Sequence, residues 1–151
     1  MRVYLVIMDE TEEARLALRF AARRAVKTGG ALHLLAFIPP QPFHAFSAVA
    51  ATIAEEARAR AEALVAEAAD MALSEGGIKP VISVHQGEGI KVVSQYLEEH
   101  PEVQAMVLGA AKEGVPGPLV AHFSGNGSGT LRCPLYIIPG SLSDADIDRL
   151  S

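Results

Sequence analysis

The sequence predicts an α/β fold, a parallel sheet with helices on both of its faces, and three observations carry that expectation. Short apolar runs alternate along the chain with longer segments of helical period, the signature of repeated strand–helix–strand units. The first run, "VYLVIM" at 3–8, is apolar with no polar alternate, as a strand covered on both faces must be. The 151 residues are 50% hydrophobic and include one cysteine, enough to bury a core as one domain without disulfides.

Each element follows in order. "VYLVIM" reads as a central strand, and the run from Asp9 to Glu13 supplies a helix cap and first-turn acids that suit the positive end of a helix dipole. Ala14, Leu18, Ala21 and Ala25 recur at helical spacing until Thr28-Gly29-Gly30 stops the helix. "ALHLLAFI" is the second strand, closed by Pro39 and Pro40, and "QPFHAFSAVAA" has no clear period and reads as a loop or a ragged helix start. Thr52 and Glu55 fit a capping box, with Ile53, Ala57, Ala61, Leu64, Ala68 and Met71 as one apolar stripe ending at Gly76-Gly77. "PVISVH" is the third strand. After Gly87-Glu88-Gly89, Ile90, Val93 and Leu97 mark a helix that ends near His100-Pro101. "VQAMVLG" is the fourth strand, "GPLVAHFS" a helix with Pro118 at its first position and Gly125 as C-cap, and "PLYIIP" the fifth strand. The polar, acidic tail at 141–151 is expected to be loosely held.

Composition excludes whole classes of partner. A net charge of −5 and a pI near 5.5 oppose a nucleic-acid surface, which needs clustered cations to neutralise phosphates. Arg15, Arg19, Arg23, Arg24 and Lys27 do share one predicted helix, but acids flank its start and the set reads as a solvated face. No stretch reaches the roughly 20 apolar residues of a membrane helix. The opening segment has one basic residue and an apolar run too short for a signal peptide, with acids where a small-residue cleavage site should be. With a lone cysteine as well, a cytoplasmic protein is expected.

The residues that could carry chemistry are few. "GVPGPLVAHFSGNGSGTLRCP", 114–134, holds five of the thirteen glycines, and glycine-rich turns let backbone N–H groups approach phosphates closely. His85 and His44, each near a strand end, could bind a metal or act as a base, but no fixed spacing joins them, and separate loop histidines is the plainer reading. His33 reads as a sheet-face or core residue, while His100 and His122 fall on helices. Cys133 reads as a small packed hydrophobe. "SGNGSG" lacks the strand-to-helix context of a nucleophile elbow. "VISVHQGEG" offers His85 and Glu88 where a response regulator would carry its phospho-acceptor aspartate, so that class is rejected.

Over nearly its whole length the chain resembles a universal stress protein domain. "VYLVIMDETEEARLALRFA", "ALHLLAFIPP", "VQAMVLGAA" and "CPLYIIPG" stand in the family's order and spacing. The resemblance implies one domain over 1–151, with a sheet ordered 3-2-1-4-5 and a switch point between strands one and four. It also implies a site for an adenine nucleotide there, ATP or AMP, with Mg²⁺ if ATP. Asp9 matches the first-strand aspartate of ATP-binding members, and Phe37 the second-strand position beside adenine and ribose. The family's phosphate pattern, Gly-x2-Gly-x9-Gly-Ser, occurs literally at Gly114, Gly117, Gly127 and Ser128. In the family's register, however, the first glycine ends strand four, which is Gly109 here, and the second falls on Lys112. Ser128 lies too close to Cys133 to open a crossover helix. The expected cradle is therefore Gly109 to Gly117, with Lys112 reaching a phosphate and the Pro118 helix pointing at the crevice. Asp9, Glu10 and Glu113 would favour AMP over a triphosphate. The resemblance further implies a homodimer through the last strand, Pro134 to Pro139. The function it implies is a stress-linked regulatory module with at most weak ATP hydrolysis. The alternative is a member that has lost the nucleotide and acts through contacts with a protein partner.

Overall fold

The computed structural model describes residues 1–40 and 47–151, and five strands alternate with five helices along them. These are β1 (Val3–Ile7), α1 (Glu12–Thr28), β2 (Ala31–Ile38), α2 (Ser47–Gly76), β3 (Val81–Gln86), α3 (Gly89–Glu99), β4 (Val103–Ala110), α4 (Pro118–Ser124), β5 (Leu135–Pro139) and α5 (Asp144–Leu150). All strand pairs are parallel and the sheet order is β3-β2-β1-β4-β5, as the resemblance implies. His44 and the rest of 41–46 lie outside the described residues; the unsettled stretch beyond them is already helix from Ser47.

The apolar run of β1 has the cause expected of it. Tyr4, Val6 and Met8 face a cluster made with α1, α2 and α5, while Val3, Leu5 and Ile7 face one made with α3 and α4. All five β1 residues are buried, so the centre of the sheet offers no site, and only its ends do. Between Val3–Val103 and Tyr4–Ala105 the β1–β4 register shifts by one residue. That extra residue carries Met106 and Leu108 onto the same face as Val103.

The helix ends are set locally. Thr11 caps α1, its Oγ1 accepting from the Ala14 amide at 3.2 Å, and Gly29 in the left-handed region (φ 62°) closes the helix. Glu88 caps α3 through the Ile90 amide at 3.1 Å. Gly117 precedes Pro118 at the start of α4, and Gly125 ends it.

Three expectations need correction. Thr52 is not a cap, because α2 starts at Ser47 and the Thr52 hydroxyl donates to the Ala48 carbonyl inside the helix. The stripe on α2 is buried only in its second half. Of the stripe Ala68 is in the core, with Leu64 and Met71 half-buried and the neighbouring Val65 and Ala72 buried instead, whereas Ile53 is 51% exposed, because a 30-residue helix of roughly 45 Å outruns strands of about 17–26 Å. Finally, the acidic tail is not loose. Ser143 and Asp146 form a capping box at its start, Ile147 is fully buried, and Ser151 is buried as well. The arginines of α1, expected to be a solvated face, are what hold it, with Arg15 on Asp144 at 2.7 Å and Arg19 on Asp148 at 2.8 and 2.9 Å.

Candidate functional site

β1 and β4 are neighbours, yet the chain leaves them for opposite faces, toward α1 on one side and α4 on the other. Divergence of that kind opens a crevice outside the carboxyl ends of the two strands. Here it is a cleft of about 270 Å³ that brings together Asp9, Phe37, Gly109 and Gly117 of the expected set. Lys112 and Gly114 do not line it, and Lys112 is exposed on the loop beyond. Thr11, Glu13, Val115, Pro116 and Leu119 line it unforeseen. Thr11 had a signal, as a threonine before a pair of first-turn acids, whereas Glu13 is brought in only by the packing of α1 on β4.

Each wall has a local cause. Asp9 follows β1 and braces the cap of α1 rather than being it. Its Oδ1 accepts from the Thr11 amide at 2.9 Å and from the Thr11 hydroxyl, which leaves Oδ2 without a partner among the described residues. Phe37 stands at the end of β2 with its ring against the backbone of Gly89, where a Cβ would come within 2.7 Å of the ring. Gly89 thus makes room for the aromatic wall. The loop from Ala111 to Gly117 is closed by the Ala111 amide on the Pro116 carbonyl at 3.2 Å. Gly114 (φ 73°) and Gly117 (φ 117°) hold backbone angles that other residues adopt only with strain, and a Cβ on either would meet open space.

Gly109 differs from these. A Cβ there would lie 2.2 Å from the Glu13 carbonyl oxygen, so the residue is glycine because the first turn of α1 presses on β4. The same contact sets the Glu13 side chain at the cleft. Asp9 and Glu13 therefore put two carboxylates on the walls, and among the described residues no lysine or arginine lines them. The cleft suits hydroxyl and amide donors and resists dense negative charge.

Gly127 and Ser128 lie elsewhere, after α4 and ahead of β5. The Gly127 amide donates to the His122 carbonyl at 2.8 Å, and its Cα sits under the His122 ring. Ser128 turns its amide and its hydroxyl back on the Gly125 carbonyl, at 3.1 and 2.7 Å. Their donors close a turn and do not line the cleft.

The remaining candidates also fall away from the cleft. His85 borders a separate hollow of about 290 Å³ between β3 and α3, beside Gln86, Gln95 and Glu99. His33 is buried on the sheet face with Nδ1 at 2.7 Å from the Tyr96 hydroxyl, and burial pushes its pKa below the usual imidazole range. Burial pushes the Cys133 thiol up, which opposes a reactive thiolate. Among the described residues no group of three or more His, Cys, Asp or Glu could hold a metal ion, and no helix is long and apolar enough to cross a membrane.

The model of a family described as the universal stress protein family matches residues 1–139. The chain is similar in structure to the universal stress protein UspA from Lactobacillus plantarum (17% identity, TM-score 0.76, covering 91% of this chain and 97% of that one). It is similar to a universal stress protein solved in complex with cAMP (18% identity, TM-score 0.68, 93% and 98% covered). The universal stress protein from Archaeoglobus fulgidus in complex with dAMP is also similar (16% identity, TM-score 0.55, 91% and 97% covered). No curated protein sequence matches the chain.

Proposed function

The chain belongs to the universal stress protein family, and from that premise we propose that it binds an adenine nucleotide, preferably a monophosphate, in the crevice between β1 and β4. The observation that carries this reading is the convergence of Asp9, Phe37 and the loop ending at Gly117 on one cleft at the switch point. Asp9 Oδ2 would accept from a ribose hydroxyl and Phe37 would flank the base. The loop from Gly109 to Gly117 would face the phosphate, with Lys112 swinging in from solvent. Two family members of the same fold were solved with cAMP and with dAMP, each a single phosphate. ATP would bring further negative charge near Asp9 and Glu13, so its binding would call for Mg²⁺ or for movement of Lys112.

In this reading the protein is a cytoplasmic regulatory module whose state reports an adenine nucleotide, and it pairs as a homodimer through the outer edge of β5. A second reading, contact with a protein partner and no nucleotide, draws on the carboxylates of Asp9 and Glu13 and the distance of Lys112 from the cleft.

Titration calorimetry of the nucleotide-stripped protein with AMP, cAMP, ATP and Mg-ATP separates the two. The proposal expects AMP or cAMP to bind more tightly than metal-free ATP. Asp9→Ala should weaken binding at least tenfold, as loss of a charged hydrogen-bond acceptor would, while Ser128→Ala leaves it unchanged. Loss of binding on Ser128→Ala would move the phosphate site to the turn before β5. Absence of heat and of thermal shift with every nucleotide would leave the protein-contact reading.

A further inference from the structure

The best-built polar surface of this molecule lies away from the crevice, where α5 rests on α1. Arg15, Arg19 and Arg23 recur every four residues and form one ridge of α1. α5 answers with Asp144 and Asp148, also four apart, and then Ser151. The contacts Arg15–Asp144 and Arg19–Asp148, at 2.7 and 2.8 Å, share one offset, and Arg23 reaches Ser151 Oγ at 2.8 Å one residue short of it, so the two helices run parallel. Arg19 grips both oxygens of Asp148, and Arg24 reaches the Ser151 carbonyl at 3.2 Å. Between the ion pairs, Ile147 enters the apolar cluster that also holds Phe20, Tyr136, Ile138 and Leu142. The family match ends at residue 139, so this helix lies outside it.

We propose that the arginine ridge of α1, with the apolar socket beside it, is a docking surface for an acidic amphipathic helix of a protein partner, and that α5 is this chain's own occluding occupant. The seated helix specifies the partner's chemistry: carboxylates four residues apart, with an apolar residue just before the second one. Charge complementarity is what selects it: the ridge sets three guanidiniums in a row, Arg15 also held by Glu12 at 2.6 Å and Arg19 by Glu75 at 2.9 Å, and the fork of each leaves further N–H groups for a second carboxylate. The occupant can be displaced. α5 is seven residues long, far below the length at which a helix persists unaided, so leaving the surface and unfolding are one event. Its ion pairs stay in reach of solvent, Asp144 at 48% and Asp148 at 35% side-chain exposure, so salt screens them. Only tethering favours α5 over a rival, and a longer acidic helix can outmatch it.

The test uses the full chain with a charge-reversed tail, Asp144→Lys with Asp148→Lys, and as probe a labelled peptide of the native sequence 140–151. Amide hydrogen exchange reports release of α5, and fluorescence anisotropy reports peptide binding. In the reversed variant the amides of Ile147 and Ser151 should lose protection while the sheet keeps its own. The peptide should then bind at least tenfold more tightly than to the wild type, weaken as salt rises, and be lost on adding Arg19→Glu. Should the reversed chain fail to fold, Asp144→Asn with Asp148→Asn gives the same comparison with a smaller gain. The proposal is overturned if α5 stays protected in the variants. It is equally overturned if the released chain ignores the peptide, or binds it regardless of Arg19→Glu.

Discussion

At Gly109 the bare Cα faces the Glu13 carbonyl across a gap that no side chain fits. Gly109→Ala should therefore lower stability by about 2 kcal/mol, the cost of overpacking against rigid backbone. The check is urea unfolding, with a lower midpoint and unchanged slope. Gly129, around which nothing lies within 4 Å, is the control, and Gly129→Ala should change stability by less than about 0.5 kcal/mol. Equal effects at the two positions would refute the packing argument. The sequence marks both residues as glycine and says nothing of this difference, since the neighbour that matters to Gly109 is 96 positions away.

At the scale of elements, α5 shows how a short helix is held by its partner's charges. Hydrogen bonds from Arg15 and Arg19 keep the carboxyls of Asp144 and Asp148 below the usual aspartate range, and the Ser143 amide does the same for Asp146. A carboxyl whose folded pKa is depressed stabilises the fold above its unfolded value, about 3.9, and the contribution is lost as pH falls through the folded value. Docking of α5 should thus be constant from pH 7 to about 4 and weaken below that. The exchange protection of Ile147 and Ser151, followed across that range, checks it. Loss of protection between pH 7 and 5 would instead implicate a histidine. The arginines and the acids were each visible in the sequence as solvated groups. Only their meeting across 129 residues turns two surface features into one interface.

At the scale of the whole molecule the sheet has two open edges. β5 presents Ile137 at 39% exposure, and β3 presents Val81 and Ile82 at 53% and 48%. Apolar edge strands are association sites unless covered. Pairing through β5, as the proposed function holds, predicts that Ile137→Lys converts a dimer to a monomer in sedimentation velocity, with Ile82→Lys without effect. The reverse outcome would assign the contact to β3, which exposes two large apolar residues at its start. The crevice proposed for a nucleotide is lined by none of the ridge arginines, so loss of binding at one need not carry the other with it.

The sequence by itself determined the alternation of strands and helices, the burial of β1 and most helix ends, because periodicity and caps are written in neighbouring residues. It also indicated the place of the crevice, since Asp9, Phe37 and Gly117 sit at element ends that the resemblance already orders. The tertiary structure decided the rest. It drew Glu13 into the cleft and left Lys112 outside. It spent the donors of Gly127 and Ser128 on a turn. It also seated an acidic tail on a basic helix. Each of these depends on which distant residues come within a few ångströms of one another, and no local pattern encodes such a distance.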